Sequence, residues 1–269
     1  MINFSELLWH PGRPKSQRFG TFVVDERSKI EHSSLQRIPT ERAQVEPGSR
    51  LALMGDPLSV GADRFRYLRM RLMELRELAK LRSVMITSPL PADGKSTIAT
   101  CLATSLSEGG RYSTLLVESD LHHPSITRTL RLRPQAGVAE CVEDGLDPMS
   151  VVRKIDPFGW FLLQAGEPKG NPTELLQSAA FSAMMQNLTP HFDWILVDSP
   201  PAIPLTDALA LSRQVDATLV VVRAECTPRD AIEECIKLIG RKHVLGIVLN
   251  GADTLAKRYS QYYGHYAKH

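Results

Sequence analysis

The chain has 269 residues and a formal net charge of +2 at pH 7, and 43% of its residues are hydrophobic. This length is enough for one large domain or two small ones with a full core, and the near balance of charge argues against a nucleic-acid-binding protein. No run approaches the roughly 20 apolar residues that span a bilayer, and the four widely spaced cysteines are typical of a reducing cytosol. We therefore expect a cytoplasmic protein that reaches a membrane only through a partner.

The first 80 residues divide into two segments of different character. Residues 1–50 have mixed charge and scattered proline and glycine, so we predict a largely flexible arm with at most one short strand at Phe22–Val24. From Ser59 to Lys80, apolar residues recur at spacings of three and four, which predicts an amphipathic helix. Its apolar stripe comprises Phe65, Leu68, Leu72, Leu75 and Leu78.

From Ser83 onward, short apolar runs alternate with helical stretches. The predicted strands are Val84–Thr87, Thr114–Glu118, Trp160–Gln164, Trp194–Asp198, Ala217–Arg223 and Leu245–Asn250. The predicted helices lie at 96–108, 173–188, 205–213 and 228–241. This order indicates an α/β fold with a mostly parallel sheet flanked by helices on both faces, and ligands bind such sheets at the carboxyl ends of the strands. We assign residues 51–252 to this domain and 253–269 to a flexible tail.

A phosphate-binding loop is predicted between the first of these strands and its helix. Residues 88–97 read SPLPADGKST, and the backbone N–H groups of such a loop and of the following helical turn hold phosphate groups. Lys95 is suited to the β- and γ-phosphates, and the Ser96 hydroxyl to Mg²⁺. The loop departs from GxxxxGK[ST] because Pro89 replaces the opening glycine, and an ordinary turn remains the alternative. The predicted nucleotide-binding residues are Pro91, Ala92, Asp93, Gly94, Lys95, Ser96 and Thr97.

Acidic residues follow two of the other predicted strands. Glu118 and Asp120 end one strand and Asp198 ends another, at positions where a buried carboxylate is costly unless it is solvated, paired or bound to a cation. Together they could hold Mg²⁺ directly or through water, and one could accept a proton from a hydroxyl substrate. The alternative is that each acid only caps the turn that follows it. Adjacent His122 and His123 lack a visible third ligand and do not indicate a metal site.

Tyrosines are concentrated at the end of the chain. Of six tyrosines, four lie in the last eleven residues: Tyr259, Tyr262, Tyr263 and Tyr266. An aromatic tail that docks on its own domain or on a neighbour is one interpretation. The other is a substrate tail that is presented to an active site.

Several motifs together support a resemblance that covers about residues 55–269. They are residues 88–97 as Walker A, 115–124 as Walker A′, 195–201 as Walker B, 166–176 as a segment similar to AGxxPPNPxELL, and 204–208 after Walker B. With the tyrosine cluster, these resemble the cytoplasmic bacterial tyrosine kinases of capsular and exopolysaccharide biosynthesis, within the P-loop NTPase superfamily. The resemblance implies an ATP- and Mg²⁺-dependent autokinase that phosphorylates its tail tyrosines in trans and regulates polysaccharide polymerisation and export.

The same resemblance implies roles for individual residues. Lys95 would stabilise phosphate charge, while Ser96, Asp120 and Asp198 would hold Mg²⁺. Asp120 or a neighbouring acid would deprotonate the incoming tyrosine, so the implied catalytic set is Lys95, Glu118, Asp120 and Asp198. Asn250, at the end of the last strand, stands where related folds contact the base.

Assembly and partners are also implied by the resemblance. Residues 63–69 are similar to the family's ExxRxxR motif, with Asp63, Arg66 and Arg69 as the members that join subunits into a ring. The alternative is a solvated helix face with one weak Asp–Arg pair. A membrane adaptor of the polysaccharide co-polymerase type would recruit the protein to the inner face of the cell membrane, and a cognate tyrosine phosphatase would reverse the modification.

Three departures from the family's pattern leave other functions open. Glu118 replaces an aspartate, Ala92 replaces a loop glycine and His122 replaces an arginine, which together suggest slow turnover. A catalytically weak, nucleotide-dependent switch or scaffold in the same export machinery is therefore one alternative. A partitioning ATPase is another, although Leu90 stands where that class has its signature lysine.

Overall fold

The computed structural model describes residues 35–54, 59–110, 112–203 and 206–252. The possible strand at Phe22–Val24 and the four tail tyrosines lie outside these residues. The strands are β1 (Thr40–Arg42), β2 (Ser83–Thr87), β3 (Thr114–Glu118), β4 (Arg153–Asp156), β5 (Phe161–Leu163), β6 (Trp194–Asp198), β7 (Ala217–Arg223) and β8 (Val244–Asn250). The helices are α1 (Arg50–Leu53), α2 (Val60–Ala79), α3 (Lys95–Ser107), α4 (Ile126–Thr129), α5 (Val138–Glu143), α6 (Pro148–Val151), α7 (Pro172–Gln177), α8 (Ala179–Leu188), α9 (Asp207–Ser212) and α10 (Arg229–Ile239).

The eight strands form one sheet in the order β1-β4-β5-β3-β6-β2-β7-β8. All neighbouring pairs are parallel except β4 and β5, which are antiparallel. The predicted α/β fold is therefore confirmed, and all six predicted strands are present with ends that shift by no more than one residue. None of the helices in the described ranges has the length and hydropathy needed to cross a bilayer.

Strand β1 was not predicted, and it corrects the interpretation of the N-terminal segment as an arm for residues 35–50, since residues 1–34 lie outside the described residues. Strand β1 lies within that segment and pairs in parallel with β4, with Glu41 opposite Ile155. Leu35 and Ile38 are buried in the core beside it. This strand cannot be recognised in the sequence, because its three side chains are exposed or half-buried. It is held by backbone hydrogen bonds, which require no apolar pattern of side chains.

The sheet is buried on both faces, as a parallel sheet requires. Along β2, Met85 packs into the cluster beneath α5 to α10, whereas Val84 and Ile86 pack against α2 and α3 on the opposite face. Strands β3 and β6 alternate in the same way. The result is a three-layer domain in which the central strands are nearly inaccessible to solvent.

Two helix predictions need correction. The predicted helix 173–188 is divided at Ser178, whose side chain accepts a hydrogen bond from Phe181 N and begins α8. In α2, Leu78 is 74% exposed and does not belong to the apolar stripe, whereas Ala62 is buried. At about 100° per residue, Leu78 lies roughly 80° around the helix from Leu68, which explains its exposure.

A close approach between α5 and the end of β5 allows a stability test. A Cβ atom at Gly137 would lie 2.0 Å from the carbonyl oxygen of Gln164, which itself accepts a hydrogen bond from Val138 N at 2.8 Å. We predict that Gly137→Ala lowers the free energy of unfolding by about 3 kcal/mol, because rigid backbone atoms must move apart. Urea unfolding followed by circular dichroism measures this change.

Gly61→Ala is the matched control for Gly137→Ala. In helix α2 a Cβ at Gly61 meets only the Ser59 hydroxyl, at 3.8 Å, so we expect unchanged stability or a gain of up to ~1 kcal/mol. Equal stabilities for the two alanine variants would contradict the close approach.

Candidate nucleotide site

The phosphate-binding loop lies between β2 and α3, at the carboxyl edge of the sheet. It enters α3 at Gly94, which has a φ of 98°, and a Cβ there would lie 2.1 Å from Asn250 Nδ2. Gly94 is thus required both by its backbone conformation and by its neighbour. Ala92 also adopts a left-handed conformation, with a φ of 65°, which is costly for a residue with a Cβ atom.

Asp93 stabilises this loop from within. Its side chain is buried, with Oδ2 accepting a hydrogen bond from Leu90 N at 3.1 Å and Oδ1 accepting one from Thr227 Oγ1 at 2.7 Å. The loop is therefore shaped before a phosphate arrives. Thr227 was missed in the sequence because it comes from a distant turn after β7.

Asn250 lies against the loop rather than away from it. Its Nδ2 donates to the carbonyl oxygen of Asp93 at 2.7 Å, and its Oδ1 accepts a hydrogen bond from Arg50. Both ends of the amide therefore have partners on the protein. The predicted contact with a base stays a prediction, whereas support of the loop is observed.

Lys95 and Asp120, predicted on separate grounds, form an ion pair. Lys95 Nζ lies 2.8 Å from Asp120 Oδ2, and both side chains are largely buried. The pair links the start of α3 to the loop after β3. Phosphate groups entering the site would therefore compete with Asp120 for the lysine.

Asp198 is the acid of the site whose burial is not offset by a hydrogen bond from the described residues. It is fully buried, and neither carboxylate oxygen has a hydrogen-bond partner in the part of the chain that the structure describes. Burial raises its pKa to about 7, against the opposing effects of the Lys95 charge and of the nearby Ser96 hydroxyl, while Glu118 and Asp120 raise the pKa further.

These residues fit a divalent cation. A buried carboxylate with free lone pairs beside a hydroxyl is the oxygen-rich environment that Mg²⁺ prefers. Among the described residues, no cluster of three or more His, Cys, Asp or Glu side chains could hold a metal ion by itself. The cation would therefore be shared between Ser96, Asp198 or Asp120, water and the oxygens of a bound nucleotide.

Glu118 differs from the prediction. Its Oε1 accepts a hydrogen bond from Ile126 N at 2.6 Å, and its Oε2 accepts one from Thr127 Oγ1 at 2.7 Å. These contacts match the alternative in which the acid caps the chain that follows it, here at the start of α4. Because both oxygens are engaged there, Glu118 is left out of the catalytic set proposed below.

The residues of the predicted assembly motif form a network on the surface of one subunit. Arg66 lies 3.0 Å from Asp63 and 2.7 Å from Glu108, and Arg69 lies 2.7 Å from Glu108. Hydrogen bonding from Arg66, and then from Arg69, lowers the pKa of Glu108 to about 2. Glu108, at the end of α3, gave no signal in the sequence because its two partners are about 40 residues away.

The burial of Asp198 gives a pH prediction for the nucleotide-free protein. Its pKa in the folded state, about 7, is above the ordinary value of 3.8, so the unfolded chain releases this proton first as the pH rises. Stability contributed by the neutral carboxyl is therefore lost between about pH 4 and 7. We predict that Asp198→Asn is more stable than the parent protein at pH 8 by a few kcal/mol at most, since a tenfold change in proton affinity is worth about 1.4 kcal/mol.

Urea unfolding from pH 5 to 8 in EDTA measures this effect. The difference between Asp198→Asn and the parent should grow with pH and level off above pH 7. Asp230→Asn, at an exposed position on α10, should give a profile parallel to that of the parent. A constant difference for Asp198→Asn at all pH values would contradict the assignment.

Comparison with known proteins gives relatives that are named as tyrosine-protein kinases and one that is named as a transport protein. The chain matches no family model. It is 32% identical over 184 residues to the tyrosine-protein kinase CpsD of Streptococcus pneumoniae serotype 4, covering 67% of this chain and 80% of that protein. It is 28% identical to the succinoglycan biosynthesis transport protein ExoP of Rhizobium meliloti, over 97% of this chain but only 36% of that protein.

Solved structures agree with these sequence relatives. The chimerical protein CapA2B2 is 27% identical and matches with a TM-score of 0.69, over 82% of this chain and 97% of the solved chain. The kinase domain of Escherichia coli tyrosine kinase ETK has the same fold, with a TM-score of 0.71 at 19% identity, over 86% of this chain and 95% of that chain. By fold, by the assembled phosphate-binding loop and by sequence identity, the chain belongs to the bacterial tyrosine-protein kinases of the P-loop superfamily.

Proposed function

We propose that the protein transfers the γ-phosphoryl group of ATP to the tail tyrosines of another copy of itself, and that this reaction regulates polysaccharide polymerisation and export. The observation that carries the proposal is the carboxylate of Asp198, which has no hydrogen-bond partner among the described residues and lies beside the Lys95–Asp120 ion pair. A preformed loop stands at the same edge of the sheet. The proposed substrates are Tyr259, Tyr262, Tyr263 and Tyr266.

In the proposed reaction, the phenolic oxygen forms a bond to the γ-phosphorus as the bond to the β–γ bridging oxygen breaks. The bonding electrons leave with ADP. The backbone N–H groups at the start of α3 bind the phosphates. The ammonium group of Lys95 stabilises the negative charge on the γ-phosphate during transfer. Bound Mg²⁺ supplies positive charge that neutralises the β- and γ-phosphate oxygens.

The ion pair offers a way to couple nucleotide binding to proton transfer. Without phosphate, Lys95 neutralises Asp120 at 2.8 Å. When Lys95 turns to the phosphates, Asp120 Oδ2 loses its cation and is free to accept the proton of the incoming tyrosine. Asp120 thus takes the role of base, while Ser96 and Asp198 hold the cation.

Assembly and location complete the proposal. Subunits form a ring through Asp63, Arg66 and Arg69, and phosphate groups on the tail oppose assembly by adding negative charge. A membrane co-polymerase-type adaptor recruits the protein to the inner face of the membrane, and a cognate phosphatase removes the phosphates. The adaptor is supported by likeness to a relative that is named a polysaccharide transport protein. The proposal includes no nucleic acid.

The competing function is a nucleotide-dependent switch or scaffold with weak catalysis. Two observations favour it as the second candidate. Glu118 is used for capping, and Ala92 holds a left-handed conformation, which is costly for a residue with a Cβ atom. Binding of ATP without phosphorylation of the tail would select this function.

The first test is phosphate incorporation measured by intact-mass analysis. Incubation with ATP and Mg²⁺ should add phosphates that map to residues 259–266. Lys95→Met should reduce the rate by roughly 100-fold or more, because a charge that stabilises the transition state is lost. Lys154→Met, at an exposed position on β4, is the matched control and should behave as the parent protein does.

Transfer in trans is tested by mixing two variants. One carries Lys95→Met with its tail intact, and the other keeps Lys95 but has its four tail tyrosines changed to phenylalanine. Phosphate on the Lys95→Met chain supports transfer between copies. Phosphorylation of the parent protein without phosphate in the mixture would contradict it.

A second test concerns assembly. In the single subunit Glu108 holds both Arg66 and Arg69, so it competes with any carboxylate of a neighbouring copy. We predict that Glu108→Gln strengthens self-association by up to about fivefold, the factor that corresponds to ~1 kcal/mol for an exposed ion pair. Arg66→Ala and Arg69→Ala should weaken it.

Sedimentation velocity at several protein concentrations measures these shifts. Arg71→Ala is the matched control on α2, because Arg71 pairs with Glu74 on its own helix. Weaker association of Glu108→Gln than of the parent protein would contradict the competition between Glu108 and a neighbouring copy.

A further inference from the structure

A hydrogen bond outside the proposed reaction joins the loop that carries Asp120 to the helix that follows β6 in the chain. His122 Nε2 lies 2.9 Å from Asp207 Oδ2. His122 belongs to the same loop as Asp120, whereas Asp207 begins helix α9, the next helix after Asp198 at the end of β6. The bond therefore links the loop of one acid of the site to the helix that follows the strand of the other.

Burial makes this bond important for the local structure. The Asp207 side chain is fully buried, and its Oδ1 has no hydrogen-bond partner among the residues that the structure describes. A buried carboxylate that loses its donor carries the full cost of desolvation. Removing the ring of His122 would thus leave both oxygens of Asp207 unpaired, and the start of α9 would have to move or admit water.

The loop after β3 is also tied to β6 by its backbone, since the N–H of Ser119 donates to the carbonyl oxygen of Asp198 at 2.8 Å. Leu121 adds apolar packing, because it is buried in the same cluster as Ala208 of α9. The Lys95–Asp120 ion pair would be relaxed when Lys95 turns to phosphate. The hydrogen bond of His122 would still hold this loop to α9 and, unlike apolar packing, it is directional.

We propose that His122, held by buried Asp207, is a positioning residue for phosphoryl transfer, which sets the distance between the carboxylates of Asp120 and Asp198. It acts through these two acids and not by contact with the substrate. The inference rests on the function proposed above. The residue that replaces the family's arginine thus takes a structural role through a hydrogen bond to a buried acid.

The test measures three quantities for His122→Ala, Asp207→Ala and the double variant. These are kcat and KM for ATP in tail phosphorylation, the Mg²⁺ concentration that gives half of the maximal binding of a fluorescent ATP analogue, and the thermal midpoint. We expect kcat to fall by roughly 10- to 100-fold and the Mg²⁺ requirement to rise, with KM little changed, as for residues that orient metal ligands. The double variant should be no worse than either single variant, because the two side chains act through one bond.

Two further variants separate positioning from general destabilisation. His122→Gln keeps a donor at this position and should recover a large part of kcat. His123→Ala changes the neighbouring exposed histidine and should match the parent protein in all three measurements. The proposal would be overturned if the loss of kcat in each variant were proportional to its loss of thermal stability. It would also be overturned if the loss in the double variant equalled the sum of the losses in the two single variants.

Failure of the inference and failure of the proposed function give different results. If the parent protein binds ATP but does not phosphorylate its tail, the function is wrong, and the Mg²⁺ dependence of nucleotide binding still tests the role of His122. If the parent protein is an active kinase and His122→Ala keeps its kcat and Mg²⁺ requirement, only the inference is wrong.

Discussion

The burial of carboxylates at the carboxyl ends of β3 and β6 is the constraint on which the rest of the site depends. Each of these carboxylates needs a hydrogen bond, an ion pair or a bound cation, because it is costly to remove a charge from water. Glu118 receives hydrogen bonds from the start of α4, and Asp120 has Lys95. Asp198 has neither, and its pKa rises to about 7. The site is thus suited to a cation beside the carboxylate that has no hydrogen-bond partner among the described residues.

The architecture explains why these acids are buried at all. Both faces of the sheet are covered by helices, so the acids at the carboxyl ends of β3 and β6 are shielded from solvent. That loop is stabilised by groups from distant parts of the chain, Thr227 through Asp93 and Arg50 through Asn250. Because these contacts hold the loop in shape, the binding of a nucleotide requires less reorganisation of the site.

The fold and the site differ in how far the sequence could predict them. Strands β2, β3, β5, β6, β7 and β8 carry apolar runs, so all six were predicted. Strand β1 at the edge of the sheet and its neighbour β4 were missed, because only Ile155 of their seven residues is buried and backbone pairing leaves no side-chain pattern. In the site, Lys95 and Asp120 were predicted on separate grounds and their ion pair was not, whereas the capping role of Glu118 was only an alternative.

The sequence by itself determined the fold class, the phosphate-binding loop and the acids that follow the strands, because these features are encoded in local patterns of residues. The tertiary structure decided which partner each side chain has. These partners depend on contacts between residues that are not neighbours in the sequence. Examples are the capping of α4 by Glu118, the ion pair of Arg66 with Glu108, and the hydrogen bond between His122 and Asp207. Such contacts are set by packing against the sheet, and no local pattern specifies them.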